Sequence, residues 1–244
     1  YQCMKEESAA ILAAADRLNN KEVEKILTLI EGSFKNKRKL VFTGVGKSGI
    51  VARKLAATFT SIGLISIYLN PLDALHGDLG IVDNKDLCIL ISNSGETQEL
   101  IQLIPHLKNK GSDQIGILGN LNSTLAHQSN YFIDAGVDKE VCPLNLAPTA
   151  STTVAMAIGD ALAVVLMEKM GISRQDFAIN HPAGKLGREL TLKVSDLMKP
   201  KNQLNPLFKN SSFREIISEI TRGAIGSCWI KERSNKNKLI GLIT

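Results

Sequence analysis

A run of hydroxyl side chains follows a short apolar stretch of the chain and leads into a predicted helix. Residues 92–97 read SNSGET, so Ser92, Ser94 and Thr97 supply three hydroxyl groups beside one glycine. Hydroxyl groups donate hydrogen bonds to phosphate oxygens, and the N-terminal end of a helix carries partial positive charge. Capping the helix would need only one such hydroxyl. The excess predicts a cradle for an anionic group such as phosphate.

A glycine-rich segment offers a second place for an anion. Residues 44–49 read GVGKSG, which formally fits the dinucleotide-binding pattern. The second predicted strand is not followed by the acidic residue that would hold a ribose, and Val41 stands where a Walker A motif needs glycine. We therefore expect a tight turn that presents the backbone around Gly46, the Lys47 ammonium and the Ser48 hydroxyl to an anion.

The elements that must position these segments follow from the hydrophobic pattern. Short apolar runs alternate with helical patterns along the chain, which predicts an α/β fold with a doubly wound, five-stranded parallel sheet flanked by helices. The predicted strands are residues 39–43, 65–69, 87–91, 114–118 and 131–133. Ligands of such sheets bind beyond the carboxyl ends of the strands, so both anion-binding segments are expected at the same edge.

Helical periodicity accounts for much of the remaining chain. Residues 3–34 predict two amphipathic helices, and residues 149–170 predict a helix buried on most of its circumference that ends at Gly171. The rest is predicted as a connection at 193–210, a helix at 212–222, a strand at 226–230, a polar turn at 233–237 and a strand at 238–243.

Composition limits the partners. The net charge of +5 is spread along the chain without a basic block or interleaved aromatic residues, so we expect no nucleic-acid partner. No stretch approaches the ~20 apolar residues that span a bilayer, so we expect no membrane contact. The four cysteines form no CxxC pair, which favours reduced thiols and a cytoplasmic protein.

Five segments in this order and spacing resemble the arabinose-5-phosphate isomerases of the SIS fold. The resemblance covers roughly residues 5–190, and residues 193–244 look like most of one CBS domain, which that family carries as a tandem pair. We therefore expect a SIS domain at 1–192 and a partial CBS domain at 193–244. The segments are 44–49, 76–80 (HGDLG), 91–97, 142–149 (CPLNLAPT) and 181–188 (HPAGKLGR).

The resemblance implies the residues of the site. Its catalytic set is Lys47, His76, Glu99 and His181, and its substrate-binding set is Gly46, Ser48, Ser92, Ser94 and Thr97. Glu140 is a further substrate-binding candidate and a second carboxylate that can serve as the base, so the choice between it and Glu99 stays open. No metal or organic cofactor is required, although His76 and His181 can capture an inhibitory zinc ion. The resemblance also implies a homo-oligomer, with a tetramer expected.

The predicted function is an aldose–ketose isomerisation. Moving one proton between adjacent carbons through an enediol requires a base and a hydrogen-bond donor near the carbonyl and hydroxyl oxygens of the sugar. By resemblance, the substrates are D-arabinose 5-phosphate and D-ribulose 5-phosphate, in the first step of Kdo (lipopolysaccharide) biosynthesis. Two alternatives stay open: a non-catalytic sugar-phosphate sensor or regulator, and an isomerase of another sugar phosphate.

Overall fold

The protein is described by a computed structural model that covers residues 1–198, 206–223, 226–234 and 238–244. The chain forms two compact units, Tyr1–Leu190 and Thr191–Thr244. The first contains a five-stranded sheet and the second a three-stranded sheet. Each unit therefore has a sheet of its own.

All the strand pairs in the sheet of the first unit are parallel. The strands are β1 (Leu40–Gly44), β2 (Ser66–Tyr68), β3 (Leu87–Ser92), β4 (Asp113–Leu118) and β5 (Tyr131–Asp134). Their order is β2-β1-β3-β4-β5, so the chain leaves β1 toward one edge and returns at β3 toward the other. This confirms the predicted five-stranded parallel sheet. The point of reversal lies between β1 and β3, where open α/β sheets bind ligands.

Helices cover both faces of this sheet, and the side chains of β3 show why. Leu87, Ile89 and Ile91 join one core cluster, whereas Cys88 and Leu90 join the other, because successive strand residues point to opposite faces. The helices are α1 (Gln2–Arg17), α2 (Asn20–Lys35), α3 (Gly46–Ser61), α4 (Pro71–Leu75), α5 (Gln98–Asn109), α6 (Thr124–Gln128), α7 (Ala150–Met170), α8 (Arg174–Ile179) and α9 (Lys185–Thr191). Helices α1, α2, α3 and α7 supply the first cluster, and α4, α5 and α6 supply the second.

Helix α7 packs against the first cluster and ends, as predicted, at Gly171, which adopts φ 63°. A smaller part of the circumference of α7 is buried than predicted: Val154 and Ile158 are buried, but Val164 is 55% exposed and Val165 is 38% exposed. By length and composition α7 is also apolar enough to cross a bilayer, so the expectation that no stretch reaches this length is wrong. Since 50% of its most apolar window is buried inside the protein, α7 serves as a core helix here.

The second unit is a small α+β arrangement. The segment 193–210, predicted as a connection, contains helix α10 (Val194–Leu197) and strand β6 (Leu207–Phe208), and its residues 199–205 lie outside the described chain. Neither element was predicted, because both are too short to show a recognisable hydrophobic periodicity. The others are α11 (Phe213–Gly223), β7 (Cys228–Lys231) and β8 (Leu239–Ile243). Strand β7 pairs in parallel with β6 and antiparallel with β8, and residues 235–237 of the predicted polar turn are outside the description.

Candidate active site

The glycine turn (residues 44–49) joins β1 to α3 by close backbone packing. A side chain on Gly49 would come within 2.7 Å of the Gly44 carbonyl oxygen, and Gly46 adopts φ +59° in the region that favours glycine. No side chain caps the start of α3 in the described chain, so its first N–H groups are open to a ligand. Lys47 is exposed beside them, and Ser48 is half-buried.

The hydroxyl turn (residues 92–97) joins β3 to α5 and is ordered by its own side chains. The Ser92 and Thr97 hydroxyl oxygens are 2.8 Å apart, and the Gly95 N–H donates to Ser92 Oγ at 3.0 Å. Ser94 is exposed, and its Oγ accepts the Glu96 N–H at 3.2 Å. Thr97 stands at the N-cap of α5 without capping it through its side chain. Hydrogen bonds within the turn thus hold the oxygens of Ser92, Ser94 and Thr97 in place.

A small cavity of about 50 Å³ opens where the two turns meet the start of α7. Its polar lining comes from Ser48 of the glycine turn, Ser92 and Asn93 of the hydroxyl turn, and Ser151 and Thr152 of α7. Ser48 and Ser92 are among the site residues predicted from the sequence, whereas Asn93, Ser151 and Thr152 are not. The available signal was the run of hydroxyl residues that opens an otherwise apolar helix. The remaining lining residues are Val51, Ile91, Ile117, Gly119, Ala135, Pro148 and Ala155.

Glu140 lies behind this cavity and caps α7. Its Oε2 accepts the Thr149 N–H at 2.8 Å, the Thr149 hydroxyl at 3.0 Å and the Ser151 N–H at 3.3 Å. Its Oε1 accepts the Ser151 hydroxyl. Partial burial raises the pKa of Glu140, but the hydrogen bonds from Ser151 and Thr149 outweigh burial and lower the pKa below its usual value of 4.5. The carboxylate is therefore ionised at neutral pH, and both of its oxygens are hydrogen-bonded at the start of α7.

The other candidate base, Glu99, has no such partners. It lies half-buried in the first turn of α5 and makes no hydrogen bond or ion pair within the described chain. His76 follows α4 and is exposed, next to Gly77 at φ +133°. Neither side chain lines the small cavity.

His181 follows α8 and is held by a neighbouring aromatic ring. Its imidazole stacks on Phe177 with ring centroids 4.0 Å apart and an interplanar angle of 14°, and its Nδ1 lies 2.8 Å from the Phe177 carbonyl oxygen. The two candidate histidines, His76 and His181, share no contact in the part of the chain described. Among the described residues, no group of three or more His, Cys, Asp or Glu side chains could hold a metal ion, so these residues of one chain do not form the predicted zinc site at His76 and His181.

Comparison with known proteins agrees with this fold. The SIS domain family matches residues 33–165. An arabinose 5-phosphate isomerase KpsF of Escherichia coli is 41% identical over 246 residues, covering 100% of this chain and 72% of the relative. An arabinose 5-phosphate isomerase KdsD of Francisella tularensis is 40% identical over 221 residues, covering 91% and 67%. The solved structure of an E. coli CFT073 protein in complex with arabinose 5-phosphate has 41% identity and a TM-score of 0.69, covering 73% of this chain and 93% of that one. The chain therefore carries a SIS domain and belongs to the arabinose 5-phosphate isomerase family.

Proposed function

We propose that this sugar-phosphate isomerase interconverts D-arabinose 5-phosphate and D-ribulose 5-phosphate through an enediol. The observation that carries the proposal is the hydroxyl-lined cavity at the reversal point of the sheet, in a chain 41% identical to a structure solved with arabinose 5-phosphate. A phosphate can accept hydrogen bonds from the hydroxyl turn and from the uncapped start of α3, while the exposed Lys47 balances its charge. The reducing end of the sugar then points away from the phosphate.

The chemical step needs one base that takes the proton from carbon and groups that move protons between the oxygens of carbons 1 and 2. Glu99 is our first candidate for the base because its carboxylate has no partner within the described chain and is free to take a proton from carbon. His76 and His181 are candidates to open the sugar ring and to carry protons between the oxygens of carbons 1 and 2. No step of this scheme requires a metal or an organic cofactor.

Several finer features belong to the same proposal. By family resemblance, the reaction supplies arabinose 5-phosphate as the first step toward Kdo and lipopolysaccharide, in the cytoplasm and without nucleic-acid or membrane partners. We also propose that residues 1–192 form the isomerase domain and that residues 193–244 form a partial CBS domain. The working assembly is a homotetramer, in which a neighbouring subunit can contribute His181.

Isotope incorporation tests the reaction directly. The protein is incubated with ribulose 5-phosphate in deuterated water, and deuterium is expected at carbon 2 of the aldose product because the base exchanges its proton with solvent. Turnover of another sugar phosphate alone would favour the isomerase alternative with a different substrate. Tight sugar-phosphate binding without turnover of any pentose or hexose phosphate would favour the sensor and overturn the enzyme.

Ser94→Ala tests the phosphate cradle. Ser94 is exposed, so its removal leaves no buried group unpaired, and we expect KM to rise about tenfold with a smaller fall in kcat. The matched control is Ser129→Ala, which removes a hydroxyl that donates to the Leu125 carbonyl oxygen and lies in neither the glycine turn nor the hydroxyl turn. Equal kinetics for the two variants would remove Ser94 from the cradle.

A further inference from the structure

Glu140 joins the loop after β5 to the first turn of α7 more tightly than a surface carboxylate would. Its two oxygens accept four hydrogen bonds, two from backbone N–H groups and two from the hydroxyls of Thr149 and Ser151. The N-cap residue of α7, Thr149, does not cap the helix with its own side chain. The capping that a 21-residue helix needs therefore comes from a residue nine positions earlier in the chain.

This network reaches the cavity through one side chain. Ser151 lines the cavity, is buried, and donates a hydrogen bond from its hydroxyl group to Glu140 Oε1. Once that proton is committed, the serine oxygen keeps its lone pairs and can accept a hydrogen bond from a substrate hydroxyl. Thr152 stands beside it on the wall, with its hydroxyl directed to the Thr149 carbonyl oxygen at 2.9 Å.

The negative charge of Glu140 also makes the α7 side of the cavity less favourable for an anion than the α3 side. The start of α3 lacks a side-chain cap and remains attractive to an anion, whereas the start of α7 already holds a carboxylate. A second anion at α7 would meet a like charge. The phosphate is thus directed toward the two turns, and the uncharged hydroxyl end of the sugar toward Ser151 and Thr152.

We infer that Glu140 is a positioning residue, which fixes Ser151 at the cavity wall as an acceptor for a sugar hydroxyl and keeps the phosphate on the opposite side. The inference rests on the proposed isomerase function. It also assigns the proton abstraction to a group other than Glu140, since both Glu140 oxygens are used within the protein.

The test compares Glu140→Gln, Glu140→Ala, Ser151→Ala and the double variant Glu140→Ala/Ser151→Ala in the full chain. Glutamine keeps one acceptor oxygen for the helix N–H groups but presents an amide N–H to the Ser151 oxygen, which then no longer accepts from the sugar, so KM should rise. We expect its kcat to stay within about tenfold of the wild type, whereas loss of a general base lowers the rate by roughly 10²–10⁴-fold. Glu140→Ala and Ser151→Ala should each raise KM about tenfold. The double variant should be no worse than the more impaired single variant, because both changes remove one coupled interaction.

Inorganic phosphate, used as a competitive inhibitor, gives a second readout. We expect its inhibition constant to be unchanged or lower in Glu140→Gln, because the anion binds away from Glu140 and a repelling charge has been removed. A folded Glu140→Gln variant that loses kcat by more than a hundredfold, independent effects in the double variant, or weaker phosphate inhibition would each overturn the inference. An inactive wild-type protein would instead overturn the proposed function itself.

Discussion

Gly95 fixes the hydroxyl turn against the loop before α6. It adopts φ +68°, and a β-carbon there would lie 1.9 Å from Ser123 Oγ. Gly95→Ala therefore adds a steric clash to backbone strain of about 1–2 kcal/mol. We expect a lower Tm and a fall in kcat/KM of at least about tenfold, because the displaced hydroxyls no longer meet the phosphate in the right geometry. Thermal unfolding and steady-state kinetics measure both effects.

Gly46 supplies the matched control for stability. It also has a positive φ, +59°, but a β-carbon there would meet no atom within 4 Å. Gly46→Ala should therefore lower Tm through backbone strain alone, and by less than Gly95→Ala. If the two variants unfold at the same temperature, the contact with Ser123 does not hold the hydroxyl turn.

Among the elements, β1 and β3 are tied together by a buried carboxylate. Asp86 is fully buried, accepts the N–H groups of Lys39 and Asp83 at 2.9 and 2.8 Å, and lies 3.0 Å from the Lys39 ammonium. Asp86→Ala would leave those donors without an acceptor, so we expect a loss of about 3 kcal/mol in the free energy of unfolding. Urea denaturation measures it.

The neighbouring Asp83 tests whether burial is the cause. Asp83 contacts the same Lys39 ammonium at 2.8 Å, but its side chain is 66% exposed. Water screens such a pair, so Asp83→Ala should cost much less stability than Asp86→Ala. Similar losses for the two variants would mean that the buried hydrogen bonds of Asp86 contribute little.

The elements also show how far sequence patterns reach. The five strands and the ends of α7 were predictable because their signals, apolar periodicity and the helix-ending Gly171, are local in the sequence. The hydroxyl turn was predictable for the same reason. Ser151 and Thr152 were missed as cavity residues because the hydroxyl run that opens α7 does not show which distant segments it packs against, and Asn93 was missed because only the hydroxyl side chains of its turn were considered. The role of Glu140 depends on donors nine and eleven positions away, which no local pattern encodes.

At the scale of the whole molecule, acid should destabilise the fold. The pKa of Glu140 is lowered in the folded chain, and hydrogen bonds from Ser173 likewise lower the pKa of Asp176. A depressed folded-state pKa means that the unfolded chain binds more protons, so stability is full above the ordinary value near 4.5 and falls as the pH drops below it. Tm measured from pH 7 to pH 3 should fall most steeply below that value.

Glu140→Gln isolates one contribution to this acid sensitivity. Glutamine does not titrate, so folding of the variant is not linked to proton binding at this position. Its Tm should therefore fall less steeply than that of the wild type between roughly pH 5 and pH 3. Parallel curves for the two proteins would mean that the Glu140 network does not contribute to acid unfolding.

The proposed tetramer allows a test of how His181 contributes to the proposed site. Within one chain its ring stacks on Phe177 and does not line the cavity formed by the two turns and α7. We expect His181→Ala to lower kcat by roughly 10²–10⁴-fold while the protein stays folded, as for loss of an acid–base group. If a neighbouring subunit supplies this histidine, mixed oligomers of His181→Ala with Lys47→Ala contain some sites with both residues intact. Co-expression should then restore activity that neither variant has alone, and light scattering should report a tetramer. Inactive mixed oligomers, or a monomer with full activity, would show that each chain completes its own site.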